Sequence, residues 1–157
     1  GPVYVRFARE KSPVFTTEDT PFVIGKAEVF REGKDAAIIA CGPLVHNALL
    51  AAEALSKQGI QCRVINNHTI KPLDEATIVK AAQECGAVVS VEEHQIMGGM
   101  GSAVAELLAR TSPTPQEFVS VHDRFGESGT PSELIEALGM GVGAIQDAVR
   151  KVLKRKK

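Results

Sequence analysis

Residues 36–65 read AAIIACGPLVHNALLAAEALSKQGIQCRVI. The opening run, Ala36 to Ala40, has no polar side. Strands buried on both faces read this way, which places this one inside a sheet with helices above and below. From Leu44 to Gln58 the period changes. Val45, Ala48, Leu49, Ala52 and Leu55 recur at helical spacing and make one apolar stripe. Gly59 follows as a C-terminal cap, and Ile60 to Ile65 reads as strand again. A strand, a helix and a strand in this order make a βαβ unit with parallel strands and a right-handed crossover.

The pattern repeats downstream. Asp74 is placed to cap a helix that runs to Cys85 and stops at Gly86. Ala87 to Val91 is another strand without a polar face. Gly101 to Arg110 is a helix, with Met100, Ala103, Val104, Leu107 and Leu108 on one side. Glu117 to Val121 is the last strand. Thr130-Pro131 opens a helix, and Glu133 completes a capping box. A final helix carries Val142, Ile145, Val149 and Val152. Upstream, Ala27 to Phe30 is a strand joined to Ala36–Ala40 by the short turn Arg31 to Lys34, a length that implies antiparallel pairing of the two. The fold class that follows is α/β: a three-layer α/β/α domain whose sheet has about five strands, mostly parallel with one antiparallel.

The first residues do not belong to this scheme. Val3, Val5 and Phe7 alternate with Tyr4, Arg6 and Ala8 as in a strand, and Lys11 to Pro21 is aperiodic and polar. A lone strand before a linker lacks a neighbouring partner. The expected division is therefore residues 1–10 as the last strand of a preceding domain, 11–21 as linker, and 22–157 as the domain proper.

The 157 residues suit one domain, and 44% hydrophobic with 24% charged is ordinary for a globular chain. A net charge of -1 argues against nucleic-acid binding. The basic cluster Lys151, Lys154, Arg155, Lys156 and Lys157 reads as a solvated helix end matching the helix dipole. Cys41, Cys62 and Cys85 are scattered, with no CxxC, and read as small core residues of a reducing, cytoplasmic compartment. No apolar run approaches the ~18 residues of a membrane span.

The segment with chemical character is Glu92-Glu93-His94-Gln95-Ile96-Met97-Gly98-Gly99-Met100-Gly101-Ser102, between a buried strand and a helix. Ligands bind at that end of open α/β sheets. Its glycines fail the dinucleotide pattern, since the third position is Val104 and the run begins well after the strand. Two readings stand: an anion held at the helix start, or glycines that permit close packing, the second being preferred. Glu93, His94, Gly99, Gly101 and Ser102 are thus a candidate anion or interface site. Glu92, Glu93 and His94 have acid–base chemistry, but neighbouring strand residues face opposite ways, so a polar loop at an interface is preferred. His46, His68 and His122 lack metal-ligand spacing, and no serine lies in a G-x-S-x-G elbow. The dense polar loop Asp123 to Thr130 reads as functional or as a connector. Arg6 and Arg9, at the end of the first strand, have the geometry to grip a phosphate.

Several segments together resemble the C-terminal part of transketolase: Gly1 to Glu10, Asn67-His68-Thr69-Ile70-Lys71-Pro72-Leu73-Asp74, Glu92 through Ala105, and Asp123 through Thr130. Their order and spacing match the family over nearly the whole chain, with most likeness to the kind made as two polypeptides. The resemblance implies an enzyme moving a two-carbon ketol unit between sugar phosphates, with thiamine diphosphate and Mg2+ bound by domains other than this one. It implies no catalytic residue here and no metal ligand. It carries the substrate-phosphate arginine onto Arg9, with Arg6 as a second candidate. It further implies a role in assembly, with the cofactor-binding domain or subunit and the pyrimidine domain as partners, in a homodimer or an α2β2 enzyme. Related families with a similar domain, 1-deoxyxylulose-5-phosphate synthase and the 2-oxo-acid dehydrogenase β subunit, are the alternatives. So is a regulatory module that binds a phosphate or nucleotide.

Overall fold

A computed structural model describes residues 1–156. Five strands form one sheet: β1 (Glu28–Arg31), β2 (Ala36–Ala40), β3 (Cys62–Asn66), β4 (Val88–Gln95) and β5 (Gln116–Val121). Their spatial order is β1-β3-β2-β4-β5. Four strands run parallel, and only β1 is antiparallel. The helices are α1 (Leu44–Ser56), α2 (Glu75–Cys85), α3 (Met100–Thr111), α4 (Pro131–Ala137) and α5 (Val142–Leu153). The three-layer α/β/α architecture read from the sequence is the one observed.

Strand β2 shows why. All five of its residues are fully buried. Ala36, Ile38 and Ala40 face one core, with Leu55 of α1 and Ile145 and Val149 of α5. Ala37 and Ile39 face a second core, with Ile78 of α2 and Leu107 and Leu108 of α3. Alternation along a strand serves both layers, so a strand between two layers has no polar side.

One expectation is corrected. The short turn after β1 does not pair it with β2. Strand β1 pairs with β3, Glu28 opposite Asn66 and Val29 opposite Ile65, and β2 lies on the far side of β3. The connection passes over the amino end of β3, where the backbone N–H groups of Lys34 and Asp35 donate to the Gln61 carbonyl. The crossing is tight. A Cβ on Gly33 would sit 2.2 Å from the Cys62 carbonyl carbon. Glycine at 33 lets four residues step across a neighbouring strand instead of turning back beside it.

The described residues of the basic C-terminal cluster are exposed, as in the solvated reading, and they also make contacts that the sequence did not show. Arg155 donates to the Gln116 carbonyl at 2.8 Å and pairs with Glu117, which Lys151 also reaches at 2.7 Å. Lys156 donates to the Asp35 carbonyl. These contacts tie the chain end to the amino ends of β5 and β2. Lys157 lies outside the described residues.

Residues 1–10 are exposed and join no ladder. The next segment does pack: Phe15 stands edge-on to Phe30 and stacks on His46. Phe22 stacks on His68 with ring centroids 4.3 Å apart. Asp74 then ties this segment to α2, capping the helix at Thr77 while accepting the Ala27 N–H at 3.0 Å.

Candidate functional site

The crossover from β2 leads to β3 and that from β4 leads to β5, in opposite directions across the sheet. The carboxyl ends of β2 and β4 therefore flank a topological switch point, where open α/β sheets place ligands. The Glu92–Ser102 segment leaves β4 here.

Glu92 lies at the end of the apolar part of β4 and is 5% exposed. Its carboxylate accepts the backbone N–H of Met100 at 2.7 Å and of Gly101 at 2.8 Å. An α-helix begins with unsatisfied N–H groups and partial positive charge. In α3 the chain fills this position with its own anion. Gly99 follows from that contact, and Gly101 from the close approach of Ser90. A Cβ on Gly99 would fall 2.5 Å from a Glu92 oxygen, and one on Gly101 would fall 2.6 Å from Ser90 Oγ. Ser102 is also engaged, as its hydroxyl donates to the Ile96 carbonyl and accepts the Gly98 N–H. Gln116 closes the other side, donating to Ser90 Oγ and the Gly101 carbonyl. Gly99, Gly101 and Ser102 thus serve an internal junction. The first donors of α3 are taken, which removes the physical basis for an external anion there.

The remaining candidates diverge from this junction. Glu93 and His94 are exposed. His94 Nδ1 lies 2.8 Å from the Gln95 carbonyl oxygen, and the side chain borders a cavity of about 360 Å³. That cavity is lined mainly by Val121, Pro131, Leu134, Leu138 and Met140, and so is apolar. Glu92 and Glu93 do face opposite ways, and no acid–base pair forms. Arg6 crosses from the N-terminal arm to donate to the Glu93 carbonyl at 2.9 Å. Among the described residues Arg9 makes only a surface pair with Glu10, at 3.3 Å. The two arginines therefore differ: one guanidinium is bound to the domain and the other points outward.

Cys41 lies half-buried just after β2. Burial pushes its thiol up to about 12, with the Glu92 charge adding to this and Arg6 opposing it. Burial likewise pushes Cys62 up to about 12. The three thiols are free. Among the described residues no group of three His, Cys, Asp or Glu is arranged to hold a metal ion. Among them, too, no helix is long and apolar enough to cross a membrane.

Sequence reasoning missed the role of Glu92 and the burial of Asn67. Asn67 is 1% exposed, and among the described residues neither end of its amide has a hydrogen-bond partner. The signal for Glu92 was present: an acid ending an all-apolar strand, eight residues before a helix that starts in glycines. Asn67 carried no such signal.

Comparison with known proteins accords with this arrangement. Residues 25–145 match the family described as transketolase, C-terminal domain. The 6-deoxy-6-sulfo-D-fructose transketolase subunit SqwH of Clostridium sp. (strain MSTE9) is 44% identical over 156 residues, covering 99% of this chain and 48% of that protein. An apulose-4-phosphate transketolase subunit of Phocaeicola vulgatus is 37% identical, covering 98% of this chain and 49% of that one. The 1-deoxy-D-xylulose-5-phosphate synthase of Trichormus variabilis is 40% identical, covering 95% of this chain and 24% of the synthase. A solved split-gene transketolase, described as an inactive beta4 tetramer, superposes with a TM-score of 0.92 at 42% identity, covering 95% of this chain and 49% of that one. The chain spans about half the length of the transketolase subunits it matches. A helix-flanked sheet with one antiparallel edge strand, matched in sequence and in fold, places this chain in the transketolase C-terminal domain family.

Proposed function

We propose that this chain is the C-terminal domain of a transketolase made as separate polypeptides, which transfers a two-carbon ketol unit between sugar phosphates. The observation that carries this reading is the match of nearly the whole chain to about half of a transketolase subunit, at 44% identity. Within the enzyme this domain contributes assembly surface. The likeness to a split-gene tetramer supports a multi-subunit enzyme, a homodimer or α2β2. Three free thiols in buried or half-buried positions support a cytoplasmic setting.

The family depends on thiamine diphosphate, with Mg2+ as its usual metal. The residues of this chain do not fit that group: the helix start at the switch point is filled by Glu92, and the described residues offer no metal-ligating cluster. The cofactor belongs to the partner domains. What this chain brings to substrate is Arg9. Its side chain is 93% exposed and points away from the domain, as a phosphate ligand completed by other domains requires.

The test is reconstitution. The longer native chain, combined with its cofactor-binding partner, thiamine diphosphate and Mg2+, turns over a ketose-phosphate donor, whereas these 157 residues alone do not. In the reconstituted enzyme Arg9→Ala raises KM for the phosphorylated donor by about tenfold or more, with a smaller change in kcat. Turnover by the 157 residues alone overturns the division of labour. Synthesis of 1-deoxyxylulose 5-phosphate from pyruvate and a triose phosphate, with release of CO2, identifies instead the runner-up activity, favoured by the 40% identity to one of those synthases.

A further inference from the structure

The two arginines of the N-terminal arm meet different surroundings. Among the described residues, the one hydrogen bond from residues 1–10 to the rest of the chain runs from the Arg6 guanidinium to the Glu93 carbonyl, at 2.9 Å. That acceptor is firmly placed. It belongs to β4, and the preceding Glu92 is buried with both carboxylate oxygens bound to the first turn of α3. The guanidinium also stands among charges. Burial dominates the rise of the Cys41 thiol, but Glu92 and Glu93 add to it and Arg6 opposes it, so the guanidinium and both carboxylates gather around this thiol. A permanent charge with five N–H donors suits an acceptor beside two carboxylates.

Arg9 lies three residues further on. Residues three apart on an extended chain face opposite sides and stand about 10 Å apart. Arg6 is turned to the domain, and Arg9 is turned from it, with its side chain 93% exposed where the chain bends. The two guanidinium groups therefore do not converge on one anion. An exposed hydrogen bond near a chain end adds little to stability. Its consequence is placement, because it pins the chain three residues from Arg9 against the fixed end of β4.

We propose that Arg6 is a positioning residue for Arg9. By holding the arm to the Glu93 carbonyl it sets where the Arg9 guanidinium meets the substrate phosphate, and it does not touch that phosphate itself. This rests on the reading of Arg9 as the phosphate ligand of a ketol-transfer enzyme, and it gives the second arginine of the arm a separate task.

The test is a double-mutant cycle on the reconstituted enzyme, read with a ketose phosphate donor and with the same ketose unphosphorylated. Arg6→Ala raises KM for the phosphorylated donor by about threefold or more, with a smaller change in kcat, and lowers the preference for the phosphorylated donor. In the Arg9→Ala background the same substitution changes KM by less than about 1.5-fold, because no guanidinium is left to place. Arg6→Lys recovers part of the loss, since an ammonium donates to the carbonyl without the planar fork. Melting of the 157-residue Arg6→Ala chain matches wild type, which separates the kinetic change from a loss of folding. Effects of the two substitutions that multiply overturn the proposal, since they make Arg6 a second phosphate ligand or a source of steering charge. So does an Arg6→Ala enzyme with wild-type KM. A chain that melts lower, in an enzyme equally impaired toward both donors, assigns Arg6 to the fold and overturns it too. The underlying reading fails with a different signature: no ketol transfer at all, or an Arg9→Ala enzyme with unchanged KM for the phosphorylated donor, and this inference falls with it.

Discussion

Glu92 is the residue whose environment most changes the reading of this sequence. Next to the exposed Glu93, it looks like a surface acid, yet it is buried against the first turn of α3 with both oxygens occupied. A carboxylate can accept two N–H groups at once, whereas a glutamine has one acceptor and would oppose an N–H with its own NH2. Glu92→Gln should therefore cost about 1–3 kcal/mol. The measurement is a urea titration followed by circular dichroism, with the midpoint lowered and the slope unchanged. A midpoint equal to wild type would show that the carboxylate does not hold the helix start. The acid–base suggestion for Glu92, Glu93 and His94 fails for a local reason: pleating sends Glu92 inward and Glu93 outward.

At the scale of elements, caps and tethers decide stability at the chain's two ends. The capping residues at α2 and α4 were legible from residue type alone. Asp74 accepts from Thr77, and the Glu133 carboxylate accepts the Thr130 N–H and hydroxyl. The hold of α5 on β5 was not legible, because it joins segments far apart in the chain. Burial tends to raise the Glu117 pKa, but hydrogen bonds and charge from Lys151 and Arg155 outweigh it and hold the carboxyl below its usual range. A depressed folded-state pKa stabilises above the unfolded value, about 4.3, and the effect disappears as pH falls through the folded value. Glu117→Gln should therefore be less stable than wild type by about 1 kcal/mol at neutral pH. The two proteins should converge as the pH is taken below about 4 and through the depressed folded-state value, where the folded carboxyl is protonated as well as the unfolded one. A gap that persists in acid would assign the loss to packing and not to the ion pairs. The measurement is thermal melting across that pH range.

For the whole molecule the question is how much of the chain the domain needs. Residues 1–10 are exposed throughout and touch the domain through the Arg6 contact. Removing them should change the stability read from a urea titration by no more than about 0.5 kcal/mol, as for surface changes generally. Removing residues 1–21 also takes away Phe15, which packs on Phe30 and His46, and should cost about 1–2 kcal/mol. Equal losses from the two truncations would mean that the arm is part of the fold.

The sequence alone determined the layers. Hydrophobic period reports which side of an element is buried, and period depends on neighbours only a few residues apart. Alternation of all-apolar strands with striped helices was therefore enough to specify a mostly parallel sheet between helices. The family signature of residues 67–74 and 92–105 lay in plain view as well. Tertiary structure decided the rest: β1 on β3 and not on β2, Glu92 at the start of α3, and Arg155 on the edge of β5. Each is a contact between segments whose local patterns are indifferent to it. A four-residue turn permits a hairpin or a step across a neighbour, and only the filled space beside Gly33 selects between them. The anion at α3 was likewise settled by distance, since the nearest carboxylate in space already belonged to the chain.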